Sequence, residues 1–373
     1  MAQAPGYNKL MQWTEVPIMP TPGAVGKIIQ TTAIQYNIHI IGVDIGGATT
    51  DVFSVFGDEH EFFNRTVSAN LGMSYSICNV LLEAGVDNIM RWIPFDIDEA
   101  DLRNRIRNKM IRPTTIPQTL EELVVEQAVA REALRLSFIH HKSLATGLKG
   151  VQKVRDISEA FDQSSSSDSI IQLDKLGMIV GSGGVLSHAP RRQQTALMML
   201  DSFQLEGFTE LTVDSIFMTP QLGVLSEVHP KAAAEVFAKD CLIFLGTSIV
   251  PIGNAQKDGD KCITIKAKMP NGETITREVA YGTLDTIPLG ENEYAEVEVN
   301  PTNNFDMGNG KGRSVSKKVR GGVAGGIIID ARGRRPFTLP TDKNTRITKL
   351  VEWFKALDIY SMDVLERYMK TAK

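Results

Sequence analysis

The chain has 373 residues, 40 of them Lys or Arg against 44 Asp or Glu, for a formal net charge of −4. That balance offers no polycationic surface for nucleic acid or an anionic membrane, and no long uncharged apolar run or basic-apolar leader suggests a membrane span or secretion. A hydrophobic content of 42% and a charged content of 23% are ordinary for a globular chain with length for two or three cores, and three scattered cysteines (Cys78, Cys241, Cys262) fit a reducing cytoplasm.

Residues 1–20 read as irregular, broken by Pro5, Pro17 and Pro20. Pro22 opens a predicted helix over 23–36. A strand-like run over 38–43 then feeds Asp44. The stretch Gly46-Gly47-Ala48-Thr49-Thr50-Asp51 leads into a second strand-like run over 52–56. This spacing predicts a hairpin with a glycine tip. Gly46 and Gly47 are expected to take backbone angles closed to other residues. Their N–H groups would face an anion, and the Thr49 and Thr50 hydroxyls would add donors. Asp44, at the strand end, would hold a hydrated metal ion or orient a water. A plain hairpin with strand-forming threonines fits the same residues. No helix follows the glycines and no Lys lies among them, so this is neither a dinucleotide fingerprint nor a P-loop.

A third antiparallel strand is predicted over 62–68. Helices follow over 76–84, stopped by Gly85, over 101–110, and over 119–141, where apolar residues recur at helical spacing. Arg103, Arg105, Arg107, Lys109 and Arg112 make the second of these basic, either as a solvated face or as a contact for a partner or nucleotide. The long helix ends in His140-His141. Adjacent helix positions point about 100° apart, a poor arrangement for chelating a metal. The serine run 164–167, within 156–168, marks a surface loop.

A second glycine cluster ends an apolar run over 176–180 as Gly181-Ser182-Gly183-Gly184-Val185, followed by His188 and Pro190 and a predicted helix over 191–201. Glycine-rich backbone beside a helix start lets a flat ligand lie against the chain; a tight strand-to-helix turn is the structural alternative, and His188 is read as a cap or a ligand contact. A strand is expected over 211–218, a loop or helix start over 219–225 and a helix over 231–237. From Cys241 onward the pattern turns to period two, with a hairpin signal at Pro270-Asn271-Gly272. This predicts a small β-barrel or sandwich over 241–340. In it, 305–313 forms an exposed loop, and Arg332, Arg334 and Arg335 form a surface salt-bridge cluster. Residues 344–371 form an amphipathic helical tail. The expected division is 1–20, 21–240, 241–340 and 341–373.

The two glycine clusters, in this order, resemble the second lobe of the sugar kinase, heat-shock chaperone and actin ATPase superfamily. That resemblance implies an α/β, ribonuclease-H-like lobe. Its hairpin (Gly46, Gly47, Ala48, Thr49, Thr50, Asp51) would hold the phosphates of ATP or ADP. Its later turn (Gly181, Ser182, Gly183, Gly184, Val185) would lie against the adenosine, and Asp44 would be the catalytic residue, holding Mg2+ through water. A closer resemblance is to the glutamate mutase L family, accessory proteins encoded with cobalamin-dependent mutases and unrelated to the mismatch-repair protein of similar name. It is carried by 44–52, by Asn64-Arg65-Thr66-Val67-Ser68 through Ser74, by 179–190 and by 320–334, and it spans about 20–340. It implies a cytoplasmic, ATP-driven, chaperone-like reactivating factor whose partners are mutase subunits. That family carries an earlier hairpin in a first lobe, which is not found before Asp44. ATP turnover is therefore expected only with a complementary lobe, from a separate chain or a homo-oligomer. A hydantoinase or oxoprolinase-type ATP-dependent hydrolase subunit is a second reading, and a non-catalytic scaffold for a mutase subunit is a third.

Overall fold

The computed structural model describes residues 18–145 and 170–371, together with Gly6, Lys9 and residues 11–13. The serine-rich stretch 156–168 and most of 1–20 lie outside the described residues.

Helix α1 (Thr21–Tyr36) leads into a meander of β1 (His39–Ile45), β2 (Thr50–Phe56) and β3 (Phe62–Ser68). Both neighbouring pairs in it are antiparallel. Four helices follow, α2 (Ile77–Ala84), α3 (Val86–Met90), α4 (Glu99–Ile111) and α5 (Leu120–Leu144). Asp98 caps α4 through the Asp101 N–H, and Thr119 and Glu122 close a reciprocal capping box on α5. Strand β4 (Leu176–Ser182) then pairs parallel to β1 on the side away from β2. Short α6 (Gly184–Ser187) and α7 (Arg192–Phe203) lead to β5 (Gly207–Asp214), parallel to β4. Next come α8 (Thr219–Leu225) and α9 (Pro230–Val236).

The expected independent β unit over 241–340 is corrected by the strand order. β6 (Leu242–Val250) pairs with β5, and β10 (Leu284–Ile287) and β14 (Gly326–Asp330) extend the same sheet, giving the order β10-β14-β6-β5-β4-β1-β2-β3. Between these strands run β7 (Ile252–Gly253), β8 (Lys261–Lys268), β9 (Thr274–Ala280), β11 (Tyr294–Pro301), β12 (Phe305–Asp306) and β13 (Val315–Arg320). Of these, β13-β11-β8-β9 form a separate four-stranded antiparallel sheet, with the predicted hairpin joining β8 to β9. The reason lies in burial. β6 and β14 are buried along nearly their whole length, as strands covered on both faces are, whereas β8 and β11 alternate.

The period of two divides each central strand between two helical layers. Ile41, Val43 and Ile45 of β1 face α2–α5 and α7, while Ile40 faces α1, α8 and α9. The C-terminal residues form two helices, α10 (Lys343–Ala356) and α11 (Met362–Thr371), rather than one tail. Both bury apolar side chains in the same core as α5. No helix among the described residues is long and apolar enough to cross a membrane. The three cysteines are free thiols, and burial pushes Cys262 up to about 12 and Cys241 to about 11.

The arginines near 330 are also corrected. Arg332 and Arg334 are buried, not superficial. Arg332 donates Nε to Asp330 Oδ1 (2.9 Å) and Nη1 to Asp201 Oδ1 (2.7 Å), while Arg334 Nη2 donates to Asp330 Oδ2 (2.7 Å). Arg131, on α5, donates Nε to Asp201 Oδ2 (2.7 Å). Burial alone would raise the Asp330 carboxyl, but the Arg332 and Arg334 guanidiniums hold it well below the usual range. Arg335 lies outside this network, half-exposed and paired with Glu206.

The histidine pair ties α5 to the meander. His141 is fully buried between Thr66 Oγ1 (2.9 Å) and Ser54 Oγ (2.8 Å), and His140 meets Ser68 Oγ (3.3 Å).

Two stability measurements test this framework. Arg332→Ala leaves Asp330 and Asp201 short of charge partners in the core, and urea unfolding should show a loss of about 3–5 kcal/mol. Burial, with His140 beside it, lowers the His141 imidazole to about 4. Between roughly pH 6.5 and 4 the unfolded chain therefore binds a proton that the folded chain refuses, and stability falls as the pH drops through that window by about 2–3 kcal/mol. Urea unfolding across that range should show this slope in the wild type and lose most of it in His141→Gln.

Candidate functional site

Strand register sets out the site. Asp44 stands opposite Asp51 on β2 and opposite Ser182 on β4, and Gly181 pairs with Val213, which places Asp214 of β5 next in line. The alternation of side chains puts all four on one face of the sheet, in a row across the ends of β2, β1, β4 and β5. Three carboxylates in a row repel, and two of them are satisfied locally. Asp51 accepts from Arg65 Nε (3.1 Å) and Nη2 (2.8 Å). Asp214 accepts at Oδ1 from the N–H groups of Ile216 (3.1 Å) and Phe217 (3.0 Å), and at Oδ2 from the Thr219 hydroxyl. Asp44, half-buried, has no cationic partner among the described residues. Burial lifts its carboxyl above the usual range, Asp51 and Asp214 add to the rise, and the Ser182 hydroxyl pulls it back.

The hairpin tip is fixed by close backbone approach on two sides. Gly46 N–H closes the turn on Thr49 O (2.8 Å). The following loop folds over the tip: Met73 N–H donates to Gly46 O (2.9 Å), Ser74 N–H to Gly47 O (2.9 Å) and Ser76 Oγ to Ala48 O (2.6 Å). A Cβ on Gly72 would lie 2.4 Å from the Ala48 carbonyl carbon. On the other side, Gly183 (φ +103°) places its backbone so that a Cβ would lie 2.2 Å from Ile45 O. The two glycine clusters, separated by more than a hundred residues in sequence, are thus in direct contact.

Gly46 and Gly47 do not take left-handed angles as expected. Their lack of a side chain serves space instead, since a Cβ on Gly47 would meet Ser74 Oγ at 2.5 Å. Thr50 does not face outward either. It is buried opposite Ile45, and its hydroxyl donates to Leu71 O. With the tip carbonyls engaged, the N–H groups of Gly47, Ala48 and Thr49 make no hydrogen bond among the described residues.

A cleft of about 770 Å³ opens beside this turn. Asp44, Gly46 and Gly47 line it together with Gly183, Gly184 and Val185, so the structure brings residues of both clusters to one cavity. Ala48, Thr49, Asp51, Gly181 and Ser182 stand behind or beside that lining; Gly181 is packed against Leu186 and Met199. The expected helix start at the turn is only the four-residue α6, and α7 begins later, at Arg192. His188 caps α6 through its N–H on Gly184 O (3.0 Å) and is also among the residues that line the cleft.

Several lining residues were not found from sequence. The far wall runs from Pro113 to Leu123, between α4 and α5, with Lys109 and Glu126 beneath. Lys109 Nζ meets Glu126 Oε1 at 3.2 Å and also donates to Thr115 O. Burial holds Glu126 above the usual carboxylate range against the pull of Lys109. Of the expected basic helix, then, Lys109 reaches the cleft, while Arg103 and Arg105 pair with Glu99 and Asp101 along α4. Asp214 was read as mid-strand, yet a signal existed: Val213-Asp214 at the end of β5 repeats the Val43-Asp44 pair near the end of β1.

Fold and site together define a mixed α/β protein whose cleft lies at the carboxyl ends of neighbouring parallel strands, where such sheets bind ligands. A sequence profile described as MutL protein matches residues 1–241, well over half of the chain. The chain belongs to this family, the glutamate mutase L family that its motifs resemble. It is 25% identical over 265 residues to a protein from Clostridium tetanomorphum named Protein MutL, covering 64% of this chain and 54% of that relative. The chain thus spans about half the length of the curated relative it matches.

Gly183→Ala tests the contact between the clusters. A Cβ there meets backbone that cannot swing aside, in a conformation L residues rarely adopt, so thermal unfolding should show a loss of about 1–3 kcal/mol. Gly184→Ala, whose Cβ would meet open space, should change stability by less than about 0.5 kcal/mol.

Proposed function

We propose that this chain binds Mg-ATP and Mg-ADP as one lobe of an actin-type ATPase fold, and serves an adenosylcobalamin-dependent mutase as a chaperone-like reactivating accessory protein. The observation that carries the reading is the hairpin tip. Its carbonyls are tied to the 73–76 loop, and three consecutive N–H groups have no partner among the described residues, beside a half-buried carboxylate and a cleft of nucleotide size. The order β3-β2-β1-β4-β5, with β1–β3 antiparallel and β4 and β5 parallel to β1, supports the same reading. Family membership supports the mutase as partner.

The donor set suits Mg2+ in one way only. Among the described residues no group of three or more His, Cys, Asp or Glu could cage a metal. Mg2+ keeps several waters and binds through one or two carboxylates plus phosphate oxygens, so Asp44 alone fits as a ligand through water. When bound, the ion would neutralise phosphate charge. The chain's own part is to present N–H donors at Gly47, Ala48 and Thr49, to set Asp44 at the tip and to shield the site from bulk water with the 113–123 wall. Turnover, on this reading, needs a second wall over the open side, because phosphoryl transfer depends on positioning from both sides.

Calorimetric titration with Mg-ATP and Mg-ADP tests the proposal. Wild type should bind in the micromolar range, and Asp44→Ala should weaken binding at least about tenfold, a loss of about 1.4 kcal/mol or more. No binding by the wild type up to millimolar nucleotide would overturn it.

A further inference from the structure

The turn after β5 is built in an unusual way. A buried carboxylate, Asp214, spends three hydrogen bonds on it, two from the backbone N–H groups of Ile216 and Phe217 and one from the Thr219 hydroxyl. Phe217 has φ +56°, the left-handed region that non-glycine residues occupy at a cost. The result is an aromatic ring that stays 40% exposed. That ring lines the cleft, 5.6 Å from the His188 ring at an interplanar angle of 52°. Neither ring is used by the phosphate-binding parts of the site.

We propose that Phe217 and His188 form an aromatic wall against which the planar base of the bound nucleotide stacks. This rests on the nucleotide reading above and adds where the base lies. The spacing suits it. β5 is two strands from β1, about 10 Å across the sheet, and one cleft is lined by the hairpin tip and by both rings, an arrangement suited to a nucleotide whose outer phosphates sit at the tip. Between the two lies the Gly183-Gly184 turn, and a side chain at Gly184 would meet nothing within 4 Å, which leaves room for the sugar to cross. The opposite wall of the cleft presents Pro117, Leu120 and Leu123, apolar surface suited to the second face of a ring. Stacking reads a π-face rather than hydrogen-bond edges, so the wall favours bases in general over phosphate alone.

The test compares Mg-ATP with Mg-tripolyphosphate, which has the phosphates and no base, by calorimetry on the whole chain. Phe217→Ala should weaken Mg-ATP at least about fivefold, the low end for losing one base–aromatic stack, and leave Mg-tripolyphosphate within about twofold. Phe217→Tyr, which keeps the ring, should bind Mg-ATP as the wild type does. Phe217→Leu, which keeps apolar bulk without the ring, should behave like the alanine variant and stands in for it if that variant fails to fold. Wild-type affinity for Mg-ATP in the ring-less variants would overturn the aromatic wall and leave nucleotide binding standing. Equal weakening of Mg-ATP and Mg-tripolyphosphate would overturn it too, as the mark of a distorted turn. Absence of Mg-ATP binding in the wild type would instead overturn the nucleotide reading, and this inference with it.

Discussion

The site depends on backbone meeting backbone without a side chain between. The β1–β2 tip is held from one side by the loop that begins at Gly72 and from the other by Gly183, and at both positions a single methyl group would overlap main-chain atoms. Protein interiors are close-packed, so such overlap cannot be absorbed by a small shift of a flexible side chain. This double clamp orients the tip peptides: their carbonyls turn toward the 73–76 loop, and the N–H groups of Gly47, Ala48 and Thr49 make no hydrogen bond among the described residues.

Charge is arranged with equal economy. Three aspartates fall on one face at the strand ends because the side-chain period is two and the register aligns them. Arg65 takes Asp51, and the turn after β5 takes Asp214. Asp44 alone keeps the consequence of its neighbours' charges, a carboxyl lifted above its usual range at the one position that opens on the cleft. A raised carboxyl in a cavity is a frequent mark of a functional group.

Much of this was legible in the residues. The meander, the capped helices and both glycine clusters follow from apolar periodicity and from punctuation by Gly, Pro, Asp and Thr. Contact between Ile45 and Gly183 was not legible as geometry, because parallel pairing of β1 with β4 joins segments more than a hundred residues apart and leaves no local signature. The same holds for β6 and β14, whose apolar runs read as part of a separate unit until the sheet order placed them beside β5. Arg332 and Arg334 misled for a physical reason: arginines are mostly exposed, and a buried cluster is recognisable only once Asp201, Asp330 and Arg131 are seen around it. The far wall of the cleft carries no motif at all. It is a proline-punctuated connection, placed by the helices on either side.

The buried Arg131–Asp201–Arg332–Asp330 chain bears on how the polypeptide can be divided. The profile shared with relatives ends at 241, just before β6. A fragment cut there would turn β5 into an open edge and strip Asp201 of Arg332. The stretch that the family profile matches and the stretch that folds together therefore have different ends. A trimmed expression fragment chosen by sequence similarity alone would remove structural support from the sheet that carries the cleft.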